Sequence, residues 1–184
     1  MVTSPRERRL WLAAGLSIAA IYASLAFSGA WAAALRETGL LEPAFGAAFL
    51  LIILVIVGSG FKRKAGRTEW WVLIGVVVAY GMVAVRLGMS AVERTHLFEY
   101  GLVAVLILAA LRERADQGRG VRFPALAAAT IASLVGAVDE AVQAFVPGRV
   151  FDPRDIVFNV VAATLAVAAS SALLWGRRKD LGSS

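Results

Sequence analysis

The residues of this chain that could do chemistry stand in three short polar stretches within an otherwise apolar sequence. They are His96, Glu99 and Tyr100; then Asp139, Glu140 and Gln143; then Arg149, Asp152, Arg154, Asp155 and Asn159. Each stretch lies at the end of a hydrophobic segment. Ionisable groups at membrane depth are costly, and they commonly mark functional sites. We therefore take these residues as the candidate site.

Two kinds of catalysis suit part of this set, namely His96, Glu99, Asp139 and Glu140. One histidine with several carboxylates could hold a divalent metal, although no complete ligand set is evident. The same groups could perform general acid–base chemistry. Ser90 is a nearby hydroxyl but resembles a helix cap, which disfavours a hydrolase. A lone histidine is weak support for a tetrapyrrole ligand, so the cofactor stays unknown.

Ligand binding is the other interpretation of the polar stretches. The candidates for it are His96, Glu99, Tyr100, Glu140, Gln143, Arg149, Arg154, Asp155 and Asn159. Arg149 and Arg154 would meet a phosphate or carboxylate, or would only neutralise neighbouring carboxylates. Gln143 and Asn159 could instead be interhelical hydrogen bonds. Asp155 could simply favour the start of a helix.

Composition decides the class of protein that carries these residues. Hydrophobic residues make up 59% of the chain, charged residues 17%, and the mean hydropathy is +0.73. Soluble domains carry about 25% charged residues. The sequence therefore predicts an all-α, polytopic membrane helix bundle that forms a single domain over residues 1–184. The absence of cysteine excludes disulfides and thiolate metal sites.

Six apolar runs are each near the ~20 residues that a helix needs to cross a bilayer. They are Leu10–Leu35, Pro43–Phe61, Trp70–Met89, Ala91–Leu111, Val121–Val146 and Pro153–Trp175. Ser90 and Glu93 have the spacing of a capping box, which predicts that the fourth helix starts at Ala91. Asp152 followed by Pro153 predicts an N-cap and a first helical residue.

The distribution of basic residues predicts the orientation. Of the 19 Lys and Arg residues, 14 lie in the N-terminus, the second and fourth loops and the C-terminus. The positive-inside rule then places both termini in the cytoplasm and the three polar stretches at the outer surface. The net charge of +6 is thus a membrane-orientation signal and not a nucleic-acid signal. Because the first apolar run is longer than a usual signal core, we expect it to be retained.

Stripes of small residues predict which helix faces meet. Ala128, Ala132 and Gly136 step by four residues and end on Glu140. Since small residues let helices approach closely, Glu140 should point into the bundle. A similar stripe starts at Asn159 in the sixth helix.

The two parts of the chain differ in polarity. The first three helices, residues 1–89, carry few polar groups, and we interpret Tyr22 and Tyr80 within them as packing residues. The last three helices, residues 90–176, carry nearly all the site candidates.

At the polar stretches the chain resembles the VanZ-like family. The resemblance runs from Arg94 to Tyr100, from Asp139 to Arg149, and from Asp152 to Asn159. These segments are similar to the family's histidine–glutamate–tyrosine motif, its acidic–glutamine–proline–arginine motif and its aspartate-to-asparagine motif, in the same order and spacing. The resemblance covers Ser90 to Val167. It departs where a glycine usually follows the asparagine, and in having three helices before the motif region.

The resemblance implies a multi-pass protein of the bacterial cytoplasmic membrane, and the family's namesake is associated with teicoplanin resistance. It brings no assigned reaction. We expect an outward-facing acidic pocket that binds an envelope lipid or a cell-wall-related ligand. The alternatives are an intramembrane acid–base or metal-dependent enzyme on a lipid-linked substrate, and a structural subunit of a larger membrane complex. The expected partners are membrane lipids, a cell-wall precursor or lipid headgroup, and other membrane subunits, with no nucleic acid.

Overall fold

The computed structural model describes residues 4–62, 65–86, 94–146 and 151–182. Within these ranges the chain forms α-helices and no strand. The helices are α1 Pro5–Glu37, α2 Leu41–Lys62, α3 Arg67–Arg86, α4 Arg94–Asp116, α5 Pro124–Gln143 and α6 Pro153–Leu181. Each predicted apolar run corresponds to one of these helices, and the predicted all-α class is confirmed.

Two described helices, α5 and α6, are long and apolar enough to cross a membrane. A third is added if the two parts of α1, Pro5–Leu25 and Gly29–Glu37, form one span. The predictions of six spans and of cytoplasmic termini stay predictions.

The distribution of side chains on α5 suits a lipid environment. Leu126, Leu134 and Val138 are exposed, whereas Asp139 and Glu140 are buried. A helix that turns its apolar side chains outward and its charged ones inward can lie in lipid without placing charge against hydrocarbon.

The predicted cap of the last helix is confirmed. Helix α6 begins at Pro153, and the Oδ1 atom of Asp152 accepts a hydrogen bond from the backbone N–H of Arg154 at 2.9 Å. The predicted capping box of Ser90 and Glu93 lies outside the described residues.

Helix α5 starts later than predicted, at Pro124 instead of Val121. Proline at the first positions of a helix explains this start, because its missing N–H would have no intrahelical acceptor there. The helix also ends earlier than predicted, at Gln143 instead of Val146.

The chain divides into two compact units. The first holds α1 up to Trp31, together with α4, α5 and α6 up to Ala168. The second holds α2, α3 and the remaining parts of α1 and α6. All the described site candidates belong to the first unit, in which α4 packs against α5.

The predicted stripe of α5 lies in the core of the first unit. Ala128 and Ala132 are fully buried, and so is Ala163 on α6. The space is tightest at Gly136, where an added Cβ would lie 2.6 Å from the Cβ of Asn159. The glycine at position 136 thus lets the Asn159 side chain of α6 approach α5 closely, as the stripe predicted.

An N-terminal ionic cluster joins the start of α1 to α4 and to the segment after α4. Its five residues are Ser4, Glu7, Glu113, Arg114 and Arg119. Ser4 caps α1, because its Oγ accepts a hydrogen bond from the N–H of Glu7 at 3.0 Å. The Ser4 hydroxyl also donates to Glu113 at 3.0 Å. The fully buried Glu7 carboxylate pairs with Arg119, and its other oxygen lies 3.8 Å from Arg114.

In the second unit, the end of α6 caps the start of α3. The Asp180 carboxylate accepts hydrogen bonds from the backbone N–H groups of Thr68 at 3.1 Å and Glu69 at 2.9 Å. Gly66 precedes these residues, and a Cβ at that position would collide with the Asp180 side chain. A carboxylate at a helix N-terminus satisfies backbone donors that have no intrahelical partner.

Candidate ligand-binding site

Five of the predicted site residues form a buried polar layer in the first unit. They are Tyr100, Asp139, Glu140, Gln143 and Asn159. Gln143 is 2% exposed and the other four are 0% exposed. Four of the six buried polar or charged residues in the described part of the chain belong to this layer. Polar side chains are therefore concentrated where the sequence predicted the site.

Asp139 is held by neutral neighbours from three helices. Its Oδ2 atom accepts a hydrogen bond from Nε2 of Gln143, one turn further along α5, at 3.1 Å. The phenol groups of Tyr100 on α4 and Tyr22 on α1 also interact with the Asp139 carboxylate. The buried carboxylate therefore accepts a hydrogen bond from an amide and interacts with two phenols.

Glu140 fixes the segment that leads into α6. Its Oε1 atom accepts a hydrogen bond from the backbone N–H of Asp152 at 2.7 Å. Asp152 in turn caps α6, so Glu140 supports the residue that starts that helix. The prediction that Glu140 points into the bundle is confirmed by its complete burial.

Asn159 ties α6 to α5 one helical turn from the two carboxylates. Its Nδ2 atom donates to the backbone carbonyl of Gly136 at 3.1 Å. Gly136 is three residues before Asp139 and four before Glu140, so all three share one face of α5. The amide contact confirms that Asn159 bonds between helices, while its Oδ1 atom remains buried without a hydrogen-bond partner.

The remaining candidates lie at the margin of this layer or outside the described part. Glu99 is half-buried and interacts with Tyr100. Asp155 is half-buried in the first turn of α6, and Arg154 beside it is exposed. His96 lies in α4, but its side chain is outside the described set, as is the whole of Arg149.

The sequence interpretation missed Tyr22. We predicted a packing residue, but its hydroxyl donates to the backbone carbonyl of Val135 at 2.8 Å. Val135 is one turn before Asp139 on α5. A single tyrosine in an apolar helix carries no local signal of such a contact, because the two residues are 113 positions apart.

The chemistry of the layer is that of oxygen acceptors. Besides Asn159 Oδ1, the Oδ1 atom of Asp139 is buried without a partner in hydrogen-bond geometry. Among the described residues no group of three or more His, Cys, Asp or Glu side chains could hold a metal ion. The two unpartnered acceptors suit a ligand that donates hydrogen bonds.

The comparison with protein families matches residues 12–174 to VanZ/LLP1. No curated protein and no solved structure matches the chain. The family match begins in α1, so it includes the helices before the three polar stretches as well as the stretches themselves. With most of its length matched, the chain belongs to the VanZ/LLP1 family.

Proposed function

We propose that the buried polar layer is the binding site for a ligand of the cell envelope, either a lipid headgroup or a cell-wall precursor. The observation that carries this proposal is the burial of Asp139, Glu140, Gln143 and Asn159 at 0–2% exposure in one place. Burying polar and charged groups costs free energy unless they find partners. A helix bundle that only needed to pack would be more stable with apolar residues of similar volume.

Unpartnered acceptors support binding over a purely structural network. Buried polar atoms in folded proteins nearly always have a hydrogen-bond partner. The Oδ1 atoms of Asp139 and Asn159 do not have one within the described part of the chain. A ligand with hydrogen-bond donors would satisfy both atoms.

The charge distribution supports an envelope ligand. Because 14 of 19 basic residues lie in the segments predicted to be cytoplasmic, the positive-inside rule supports a layer near the outer surface of a bacterial cytoplasmic membrane. At that depth the site would be near lipid headgroups and cell-wall intermediates. A role in glycopeptide resistance would follow if the ligand is a target or precursor in cell-wall assembly.

The test is the thermal unfolding of the purified full-length chain with divalent cations, with EDTA and with envelope lipids, in the unchanged protein and in Glu140→Gln. We expect at least one lipid to raise the unfolding temperature of the unchanged protein. Glu140→Gln should lose this response but keep its fold, because a glutamine Oε1 can still accept the hydrogen bond from Asp152. A ligand bound at 100 times its Kd stabilises by about 2.7 kcal/mol.

The exposed Glu37 supplies the matched control. Glu37→Gln makes the same chemical change away from the layer and should respond to the lipid like the unchanged protein. If no ligand stabilises the protein and Glu140→Gln unfolds at a much lower temperature, the layer is a structural network and the binding proposal is wrong.

A further inference from the structure

We infer that the ligand binds to the buried polar layer through a protonated amine. This inference rests on the proposed function and adds the chemical class of the recognised group. The amine could belong to a small soluble molecule or to the headgroup of a phosphatidylethanolamine lipid, since both present the same ammonium.

The charge balance around Asp139 favours an ammonium group. Asp139 is 0% exposed, and its neighbours Gln143, Tyr100 and Tyr22 are all neutral. Among the side chains that the structure describes, no Lys or Arg lies at ion-pair distance from Asp139. A carboxylate taken out of water is strongly destabilising unless a cation or proton compensates it. An ammonium group would supply that charge.

Two buried acceptors without a hydrogen-bond partner also favour an ammonium group. The Oδ1 atoms of Asp139 and Asn159 are both buried acceptors without a hydrogen-bond partner. Asn159 contacts α5 at Gly136, one turn from Asp139, so the two acceptors lie on neighbouring levels of the same interface. An ammonium group carries three N–H donors and no acceptor, which matches this set. A phosphate or carboxylate would bring further acceptors and a repelling charge.

The surroundings of Asp139 are also aromatic. The phenol groups of Tyr22 and Tyr100 interact with the Asp139 carboxylate and with each other. Tyrosine rings attract ammonium groups through their electron-rich faces. A carboxylate flanked by two tyrosines thus favours an organic cation. A divalent metal would require more carboxylate or histidine ligands than the described residues bring together.

The experiment is a titration of the detergent-purified, full-length chain with ethylammonium chloride, followed by thermal unfolding. Ethanol is the neutral probe of similar shape, and potassium chloride and potassium phosphate control for ionic strength and for anions. We expect a saturable rise in unfolding temperature with ethylammonium alone. These comparisons use the unchanged protein, so they test ammonium binding without any variant.

The matched pair of variants is Asp139→Asn and Asp116→Asn, the second at an exposed aspartate. Removing one partner of a buried charge pair costs about 2 kcal/mol or more, so Asp139→Asn should bind ethylammonium about thirtyfold more weakly. Asp116→Asn should bind it normally.

If Asp139→Asn does not fold, Tyr22 provides a second comparison. Tyr22→Leu removes the ring and should weaken ethylammonium binding about fivefold. This factor corresponds to the loss of about 1 kcal/mol of cation–π attraction. Tyr22→Phe keeps the ring and loses only the hydrogen bond to Val135, so it should weaken the response less.

Nanodiscs distinguish the two sources of the amine. A higher unfolding temperature in phosphatidylethanolamine than in phosphatidylglycerol nanodiscs, with no further gain from ethylammonium, supports a lipid headgroup. Equal temperatures in both, with a gain from ethylammonium, support a free amine.

Two results in detergent would overturn the inference: no shift with ethylammonium, or an equal shift in Asp139→Asn. A shift with phosphate or phosphatidylglycerol that is lost in Glu140→Gln would then leave the proposed function intact. If none of these probes or lipids changes the unfolding temperature, the proposed function fails as well.

Discussion

Gly136→Ala should lower the free energy of unfolding by about 1–3 kcal/mol, the usual cost of forcing a methyl group into a packed interior. The added Cβ would lie 2.6 Å from Cβ and 2.9 Å from Cγ of Asn159, closer than such atoms can approach. Helices α5 and α6 would have to separate, which would also strain the hydrogen bond from Asn159 to the Gly136 carbonyl. Thermal unfolding in detergent measures this effect.

Gly75→Ala on α3 is the control for Gly136→Ala. A Cβ at Gly75 would meet nothing within 4 Å. Because alanine is favoured over glycine in a helix by up to about 1 kcal/mol, this variant should be as stable as the unchanged protein or more so. Equal stability of the two alanine variants would show that α5 and α6 do not approach at Gly136 as described.

Glu7→Gln should lower the free energy of unfolding by about 1.5–3 kcal/mol, the range for hydrogen bonds to charged groups. The Glu7 carboxylate is fully buried against Arg119, which is itself mostly covered, and Arg114 lies nearby. A neutral amide would leave both guanidinium groups without their counter-charge. Limited proteolysis should then cleave the segment after α4 faster, because Arg119 would no longer hold it.

Glu37→Gln, at an exposed position near the other end of α1, controls for the loss of one carboxylate. It should leave both the unfolding temperature and the cleavage rate unchanged. If Glu7→Gln and Glu37→Gln behave alike, the ionic cluster contributes nothing measurable to stability.

Local and periodic signals in the sequence predicted much of this fold. The small-residue stripe gave the buried face of α5, and Asp152 with Pro153 gave the start of α6. Both signals depend on residues within one or two helical turns of each other. The burial of Glu140 followed from the same helical period.

Contacts between distant segments could not be predicted in this way. The hydrogen bond from Tyr22 to Val135 joins helices far apart in the chain and leaves no periodic trace. It makes α1 part of the site's surroundings, whereas the sequence had assigned α1 to a separate, less polar region. The bond from Asp152 to Glu140 depends on how the chain turns between two helices, which composition does not specify.

The N-terminal ionic cluster could have been predicted in part. Ser4, Pro5 and Glu7 have the spacing of a capping box with proline at the first helical position. The arginines of this region were interpreted only as orientation signals. That the Glu7 carboxylate would instead pair with Arg119 depends on the packing of α1, which no local pattern encodes.

Native mass spectrometry of the protein, purified in mild detergent, tests most directly whether the buried polar layer binds a ligand. We predict a retained mass on the unchanged protein and on Glu37→Gln, and its loss from Glu140→Gln while that variant stays folded. Equal retention of that mass by all three proteins, or its absence from all three, would contradict a binding role for the layer.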